Sequence, residues 1–275
     1  MWKTKLCLGT NNQFELSVPE QIKLFKKIGF EGFFTGYSNR EDIAEYRKLA
    51  DELGMIYQSV HGPFFKMGEM WETGEDATAE LIDCLHACKE NGVPIMVAHT
   101  FLGFNSHTPN EKGLEKFGKV VHEAENLGVK VAFENTEGEE YLTAVIERFK
   151  NSPAVGFCWD TGHEMCYNRS KDMLSLYGDK LIATHINDNL VIRDFDGNIT
   201  WIDDLHLLPF DGIADWQGIA DRLDKCGYNG ILTFELNRCS KPDRLENDFY
   251  RDMPIEKYLT LAFMRACRVA ALRKN

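Results

Sequence analysis

VKVAFENTEGEEYLTAVIERFKNSPAVGFCWDTGH, residues 129–163, reads as strand, helix, strand, and each strand ends in an acid: AFE closes on Glu134 and CWD on Asp160. Carboxylates are rarely buried without partners, so two of them at the ends of apolar runs point to a shared cationic or metal-bearing site. The same ending recurs outward in both directions, with SVH closing on His61, VAH on His99, ATH on His185 and TFE on Glu235. Two residues before each of these stands a small side chain: Ser59, Val97, Ala132, Cys158, Ala183 and Thr233. Strand side chains alternate with a period of two, so each small residue points the same way as its ligand-type neighbour, one layer beneath it. A layered interior with reactive groups at the C-terminal strand ends is expected where parallel strands close into a barrel.

The rest of the chain keeps the same rhythm. Strand-like runs fall at about 4–8, 31–36, 55–61, 94–99, 129–135, 154–160, 180–187 and 230–236. Helical patterns lie between them at about 19–29, 39–53, 76–91, 111–127, 138–150, 165–177 and 215–226, with a last one near 255–272. Strict β then α alternation predicts an α/β chain, a (β/α)₈ TIM barrel, and 275 residues suit one such domain spanning 1–275. Gly29, Gly54, Gly92, Gly128 and Gly227 each follow a helical pattern, where a left-handed cap is favoured. The strand-to-helix connections 62–75, 100–110 and 188–214 are the long ones, and in a barrel these form the rim of the active face.

Composition narrows the partners. Formal charge is −12, a balance that repels phosphate backbones and anionic membrane surfaces and disfavours nucleic acid. No window carries the roughly 20 apolar residues of a membrane span, and MWKTKLCLGTNNQF has no signal-like core, so a soluble cytoplasmic protein is expected. The eight cysteines form no CxxC pair; Cys7, Cys158 and Cys226 read as small buried hydrophobes in a reducing compartment. The 188–214 loop and the 237–275 segment are candidate surfaces for a homo-oligomer.

One histidine in an apolar run is usually a hydrogen-bonded core residue, but three strand-end acids beside strand-end histidines need cations. Glu134, Asp160, His185 and Glu235 make an oxygen-rich set that suits Mn²⁺, Mg²⁺ or Co²⁺ and admits Zn²⁺; Mn²⁺ is the favoured ion. His163 in DTGH, one turn past Asp160, stands beside that set as a substrate contact or a ligand to a second ion. Asp204 and His206 in DDLH join it at the rim. Asn187 shares the face of His185, where substrate contact and strand-end capping compete. Lys66, Phe64, Phe65 and Trp71 occupy the 62–75 loop, as pocket wall or as helix packing. Trp159 should point outward into the core, and His86, His107 and His122 should be surface residues. No GxSxG elbow, P-loop or dinucleotide fingerprint competes with the metal-type cluster.

FEN at Glu134, DTGH at 160–163, HIND at 185–188, DLHLLPFDGIADW at 204–216 and TFEL at Glu235 together resemble the xylose isomerase-like TIM-barrel superfamily. That superfamily includes sugar phosphate isomerases and epimerases, ketose 3-epimerases, inosose and dehydroshikimate dehydratases, and the endonuclease IV type of AP endonuclease. The resemblance implies one divalent metal on Glu134, Asp160, His185 and Glu235. It also implies two glutamates on opposite faces of a small polyhydroxy carbonyl substrate, exchanging a proton next to the carbonyl through a metal-stabilised enediolate. Glu134, Glu235 and His163 are then the candidate catalytic groups, with His61, His99, Lys66, Asn187 and His206 binding substrate. Two alternatives share the barrel: a dehydratase in which the enolate expels a β-hydroxyl, and a three-zinc phosphodiesterase in which His61, His99, His163, Asp204 and His206 are further ligands. Against the latter stand the acidic balance and glycine in DTGH where the nuclease motif carries cysteine.

Elemental analysis of the purified protein separates these expectations. About one Mn²⁺, Co²⁺ or Mg²⁺ per chain is expected, whereas close to three Zn²⁺ would make the additional histidines ligands.

Overall fold

The computed structural model describes residues 3–104, 108–194 and 196–274. Its strands are β1 (Leu6–Gly9), β2 (Gly32–Gly36), β3 (Ile56–His61), β4 (Ile95–Ala98), β5 (Lys130–Glu134), β6 (Val155–Asp160), β7 (Leu181–His185) and β8 (Leu232–Phe234). The helices between and after them are α1 (Val18–Ile28), α2 (Arg40–Leu53), α3 (Thr78–Glu90), α4 (Glu111–Leu127), α5 (Glu139–Arg148), α6 (Thr161–Met165), α7 (Met173–Tyr177), α8 (Trp216–Lys225) and α9 (Ile255–Ala271). Strand order is β7-β6-β5-β4-β3-β2-β1-β8, and every ladder is parallel. Ile186 closes the ring by a parallel bridge to Phe234, its N–H donating to the Thr233 carbonyl at 2.8 Å. The chain is a (β/α)₈ TIM barrel.

Two separate apolar regions follow from the strand alternation. Leu8, Phe33, Val60, Phe133 and Trp159 point outward and are buried under helices that contribute residues such as Ile22, Phe25, Leu85 and Val120. Val97, Ala132, Cys158 and Ala183 point inward and form their own cluster, the small-residue layer expected from the sequence. The layer is not flat. Register sets His61 opposite Val97 and Glu134 opposite Cys158, so at these joints a ligand-type residue faces the small residue of the next strand. That stagger is the shear a closed barrel requires, and it arranges the ligand-type residues as a rising spiral.

One helix differs from its expected span. The 165–177 pattern is two short helices, α6 and α7, and α6 begins directly off β6 because the Asp160 carboxylate accepts the His163 N–H at 2.7 Å. Arg169 and Ser170, at φ of 53° and 58°, separate the two. Gly54 and Gly128 end α2 and α4 in the left-handed conformation, with φ of 61° and 68°. All eight cysteines are free; Cys7 and Cys158 are buried as expected, while Cys226 is half-buried. Trp159 is core, its indole N–H donating to Glu164 and Arg222 lying over its ring. His122 is exposed and His86 is half-exposed beside Glu123, whereas His107 lies outside the described residues.

The long segment after β7 carries Asp204 and His206, and it is held by one buried carboxylate. Asp188 accepts from the N–H groups of Asn189, Phe210 and Ala214 and from the Trp216 indole, at 2.9 to 3.1 Å. An antiparallel bridge from Asp188 to Leu207 adds to this. The HIND and LPFDGIADW motifs therefore meet at a structural knot, which sustains left-handed φ at His206 (50°) and Phe210 (74°). Asp188→Ala would strand these buried donors at about 1–3 kcal/mol each, so a loss of at least about 3 kcal/mol is expected from urea unfolding. A loss below about 1 kcal/mol would mean that other contacts hold the loop.

Candidate active site

Glu134, at the inward end of β5, is fully buried and is the centre of the cluster. His185 Nδ1 lies 2.6 Å from Glu134 Oε1, while His61 Nε2 and His99 Nε2 lie 3.3 and 3.2 Å from Oε2. His185 Nδ1 also stands 3.0 Å from Glu235 Oε2, so one imidazole nitrogen sits between carboxylates contributed by β5 and by the end of β8. Glu235 is the more accessible acid, with 29% of its side chain exposed. Asp160 is fully buried and is fixed by the His163 N–H on Oδ1 and by Asn187 Nδ2 at 2.9 Å on Oδ2. Asp204 pairs with His206 Nε2 at 2.8 Å and lies 3.5 Å from His163 Nε2.

These distances create sets of donor atoms close enough to hold an ion. Glu134, Asp160, His185 and Glu235 each present an atom within 4.8 Å of the others; so do His61, His99 and Glu134, and Asp160, His163 and His206. Burying so many carboxylates together is unfavourable unless positive charge accompanies them. The buried His185 Nε2, His99 Nδ1 and Asn187 Oδ1 atoms have no hydrogen-bond partner, further polar capacity that the protein alone leaves unused. The four-residue set is hard, mostly oxygen and buried, and it fits a divalent cation.

Electrostatics point the same way. Burial would raise the Glu134 carboxyl, but His185, His61 and His99 hold it well below the usual range. Burial likewise opposes charge on His185, yet Cys158, Glu134 and Glu235 lift its pKa well above an ordinary imidazole. The same contest raises His163 well above normal beside Asp160 and Asp204, and His206 to about 9 beside Asp204. Glu235 falls to about 2 despite burial, chiefly through His185, whereas burial wins at Asp160 and raises it to about 6. Without a cation, imidazolium protons balance the carboxylates.

The cluster opens into a cavity of ≈ 500 Å³ that includes His61, His99, Glu134, His163, His206 and Glu235 in its wall. Phe64 and Phe65 belong to that wall, but Trp71 does not: it is buried against Phe117 and Tyr141 and donates to the Thr100 carbonyl. Lys66 stands apart from the cluster, its ammonium held by Glu75 at 2.9 Å and Glu80 at 2.8 Å. Asn187 is a brace for Asp160 and is absent from the described cavity lining. Two residues without an expected role matter. Phe34 points into the barrel from β2, stacks on the His185 ring at 4.6 Å, and has room only because a Cβ on Gly9 would come within 2.4 Å of it. Asn135 ties β5 to β6 by accepting the Asp160 N–H and donating to the Asp160 carbonyl. The Gly32–Phe34–Gly36 alternation and the FEN triplet carried these signals.

A family model described as xylose isomerase-like TIM barrel matches residues 22–252. The inosose dehydratase of Glaesserella parasuis is 23% identical over 278 residues, covering 92% of this chain and 91% of that protein. Protein y4fM of Sinorhizobium fredii is 36% identical over 113 residues, but the match spans 39% of this chain and only a third of that protein's length. Among solved structures, D-psicose 3-epimerase from Clostridium cellulolyticum superposes with a TM-score of 0.72 at 16% identity, covering 97% of this chain and 99% of its own. The 3-keto-D-glucoside 4-epimerase YcjR from E. coli gives 0.67 at 18%, covering 96% and 100%. The IOLI protein with a bound zinc gives 0.71 at 21%, covering 97% and 98%. At these identities the structural likenesses establish the fold.

A cation held by His185 would take an imidazole lone pair and so compete with the proton that the raised pKa favours. Binding is therefore expected to release protons and to weaken as pH falls. Titrating Mn²⁺ into metal-free protein at pH 7, in buffers of different ionisation enthalpy, measures this; identical heats would contradict the His185 pairing.

Proposed function

Because the chain belongs to the xylose isomerase-like TIM-barrel family, we propose that it is a metal-dependent isomerase or epimerase that moves a proton on the carbon next to the carbonyl of a small polyhydroxy substrate. The observation that carries this reading is the convergence of Glu134 and Glu235 on one nitrogen of His185, at 2.6 and 3.0 Å. Two carboxylates from strands on different sides of a closed ring supply a base and a proton donor around a single substrate carbon. A divalent metal held by Glu134, Asp160, His185 and Glu235, with Mn²⁺ favoured over Zn²⁺, Co²⁺ or Mg²⁺, would polarise the carbonyl and acidify the adjacent C–H.

The chain's own residues divide the remaining work. One glutamate takes the α-proton while the other, starting protonated, delivers its own proton to the opposite face and inverts the centre, whereas delivery of a proton to the former carbonyl carbon, with transfer between the two enediol oxygens, gives an isomer. His163, held at Nδ1 by the Asn135 carbonyl with Nε2 3.5 Å from Asp204, and His206, held by the Glu235 carbonyl and Asp204, wall one side of the substrate cavity. His61 and His99 also line the cavity, each turning Nε2 to Glu134 and balancing its charge. Asn187 and Asn135 hold Asp160 still. Phe34 closes the floor beneath His185 and excludes water from that side.

Dehydration is the second reading, favoured by the full-length likeness to inosose dehydratase. It starts with the same proton abstraction and ends with expulsion of a β-hydroxyl. A phosphodiesterase is less well supported, because no lysine or arginine is among the described residues lining the cavity to receive a phosphate.

Glu134→Gln and Glu235→Gln are each expected to reduce turnover by at least about 10²-fold, the scale of a lost general base. NMR in D₂O reads incorporation of deuterium next to the carbonyl, and product mass distinguishes epimer from dehydrated product. Full activity in either variant would overturn the assignment.

A further inference from the structure

A second cavity borders the one above the cluster. A cavity of ≈ 340 Å³ adjoins the first and shares Phe104, Glu137 and Tyr167 with it, so these three side chains form the threshold between inner and outer compartments. Beyond the threshold the outer wall includes Glu140, Arg169, Asn198 and Ile199. Glu137 is buried and fixed, its Oε1 accepting the Gly103 N–H at 3.0 Å. Arg169 is committed to the Gly197 carbonyl at 2.8 Å. Pockets of about 300–1,000 Å³ accommodate ligands larger than one sugar ring, and here the inner compartment alone falls in that range.

The chemistry of the walls restricts what fills this space. Glu134, Glu137, Asp204 and Glu235 line the inner compartment, and no lysine or arginine does so among the described residues. Lys66 is bound by Glu75 and Glu80, and Lys241 is turned to Asp204 and the Trp201 ring. A phosphate or carboxylate on the ligand would approach Glu137, Asp204 and Glu235 with no lysine or arginine among the described lining residues to offset them. Aromatic surface is abundant at the mouth instead: Phe64 and Phe65 stack at 4.5 Å, Phe104 leans on Tyr167 at 5.8 Å, and Trp201 and Phe65 are 53% and 79% exposed. Aromatic faces exposed around a polar cleft suit the apolar C–H faces of sugar rings, whose hydroxyl edges then find acceptors such as Glu137.

We propose that the substrate is an uncharged glycoside, with its carbonyl-bearing ring at the Glu134–His185–Glu235 cluster and a second ring across the Phe104–Glu137–Tyr167 threshold in the outer compartment. The proposal rests on the proton-transfer reading above and adds the size and charge of the substrate.

The test compares α-proton exchange in D₂O, and kcat and KM, for the metal-loaded protein on matched compounds. D-fructose is set beside its glucosyl derivatives isomaltulose, maltulose and turanose and beside fructose 6-phosphate, and 3-keto-D-glucose beside 3-ketotrehalose. At least one disaccharide is expected to exceed its monosaccharide by about tenfold in kcat/KM, mainly through KM, with the phosphate ester below D-fructose. Ile199→Trp, which narrows the outer compartment, is expected to lower the disaccharide-to-monosaccharide ratio by about tenfold. Monosaccharides preferred throughout, a preferred phosphate ester, or an unchanged ratio in the variant would overturn the second-ring site while leaving the proton-transfer reading standing. Absence of exchange on every compound would remove both.

Discussion

The Glu134 carboxylate, buried completely and shared by imidazoles from three other strand ends, is the constraint on which this molecule turns. An ion in that position is tolerable only while His61, His99 and His185 remain in place, and each is set at the end of its own strand. The barrel is the device that keeps them there: parallel ladders fix the strand ends, and small residues beneath make room for the large polar layer above. Fold and site are thus two statements of the same register.

Around that centre, the supporting residues act through position rather than chemistry. Asp160 serves as a cluster carboxylate and as the cap that starts α6, which brings His163 back over the site within a single turn. Asp188 does comparable work for the opposite wall, since the loop bearing Asp204 and His206 has little regular structure and takes its shape from four hydrogen bonds to one carboxylate. A carboxylate within a site motif can be a structural hub, as the backbone donors that Asp188 satisfies show.

Much of this was legible in the chain. Period-two alternation located the strand ends, and because chemistry-bearing residues stood at those ends, Glu134, Asp160, His185 and Glu235 could be grouped before any distance was known. Phe34 obeys the same alternation but carries no reactive group, so its role under His185 emerges only when the ring and Gly9 are seen together. Lys66 shows the reverse case: its loop lines the pocket, but pairing with Glu75 and Glu80 turns the ammonium elsewhere, and side-chain pairing across a loop has no periodic signature. The break between α6 and α7 falls in the polar run 168–172, where Arg169 and Ser170 turn left-handed; the polar run marks an interruption, but left-handed φ at non-glycine residues has no signature in the sequence.

The joint between β7 and β8 is the thinnest in the barrel wall. It rests on the Ile186 bridge to Phe234, a 3.3 Å bond from the Glu235 N–H to the Ile186 carbonyl, and the Thr233 N–H on the Thr184 hydroxyl in place of a main-chain acceptor. His185 and Glu235 stand on either side of it. A cation gripped by both residues would span this joint like a clasp, so the free energy of its binding would also be free energy of keeping the ring shut. In such an architecture the cofactor is a fastening as well as a reagent, and local opening of the wall would begin where the two functions meet.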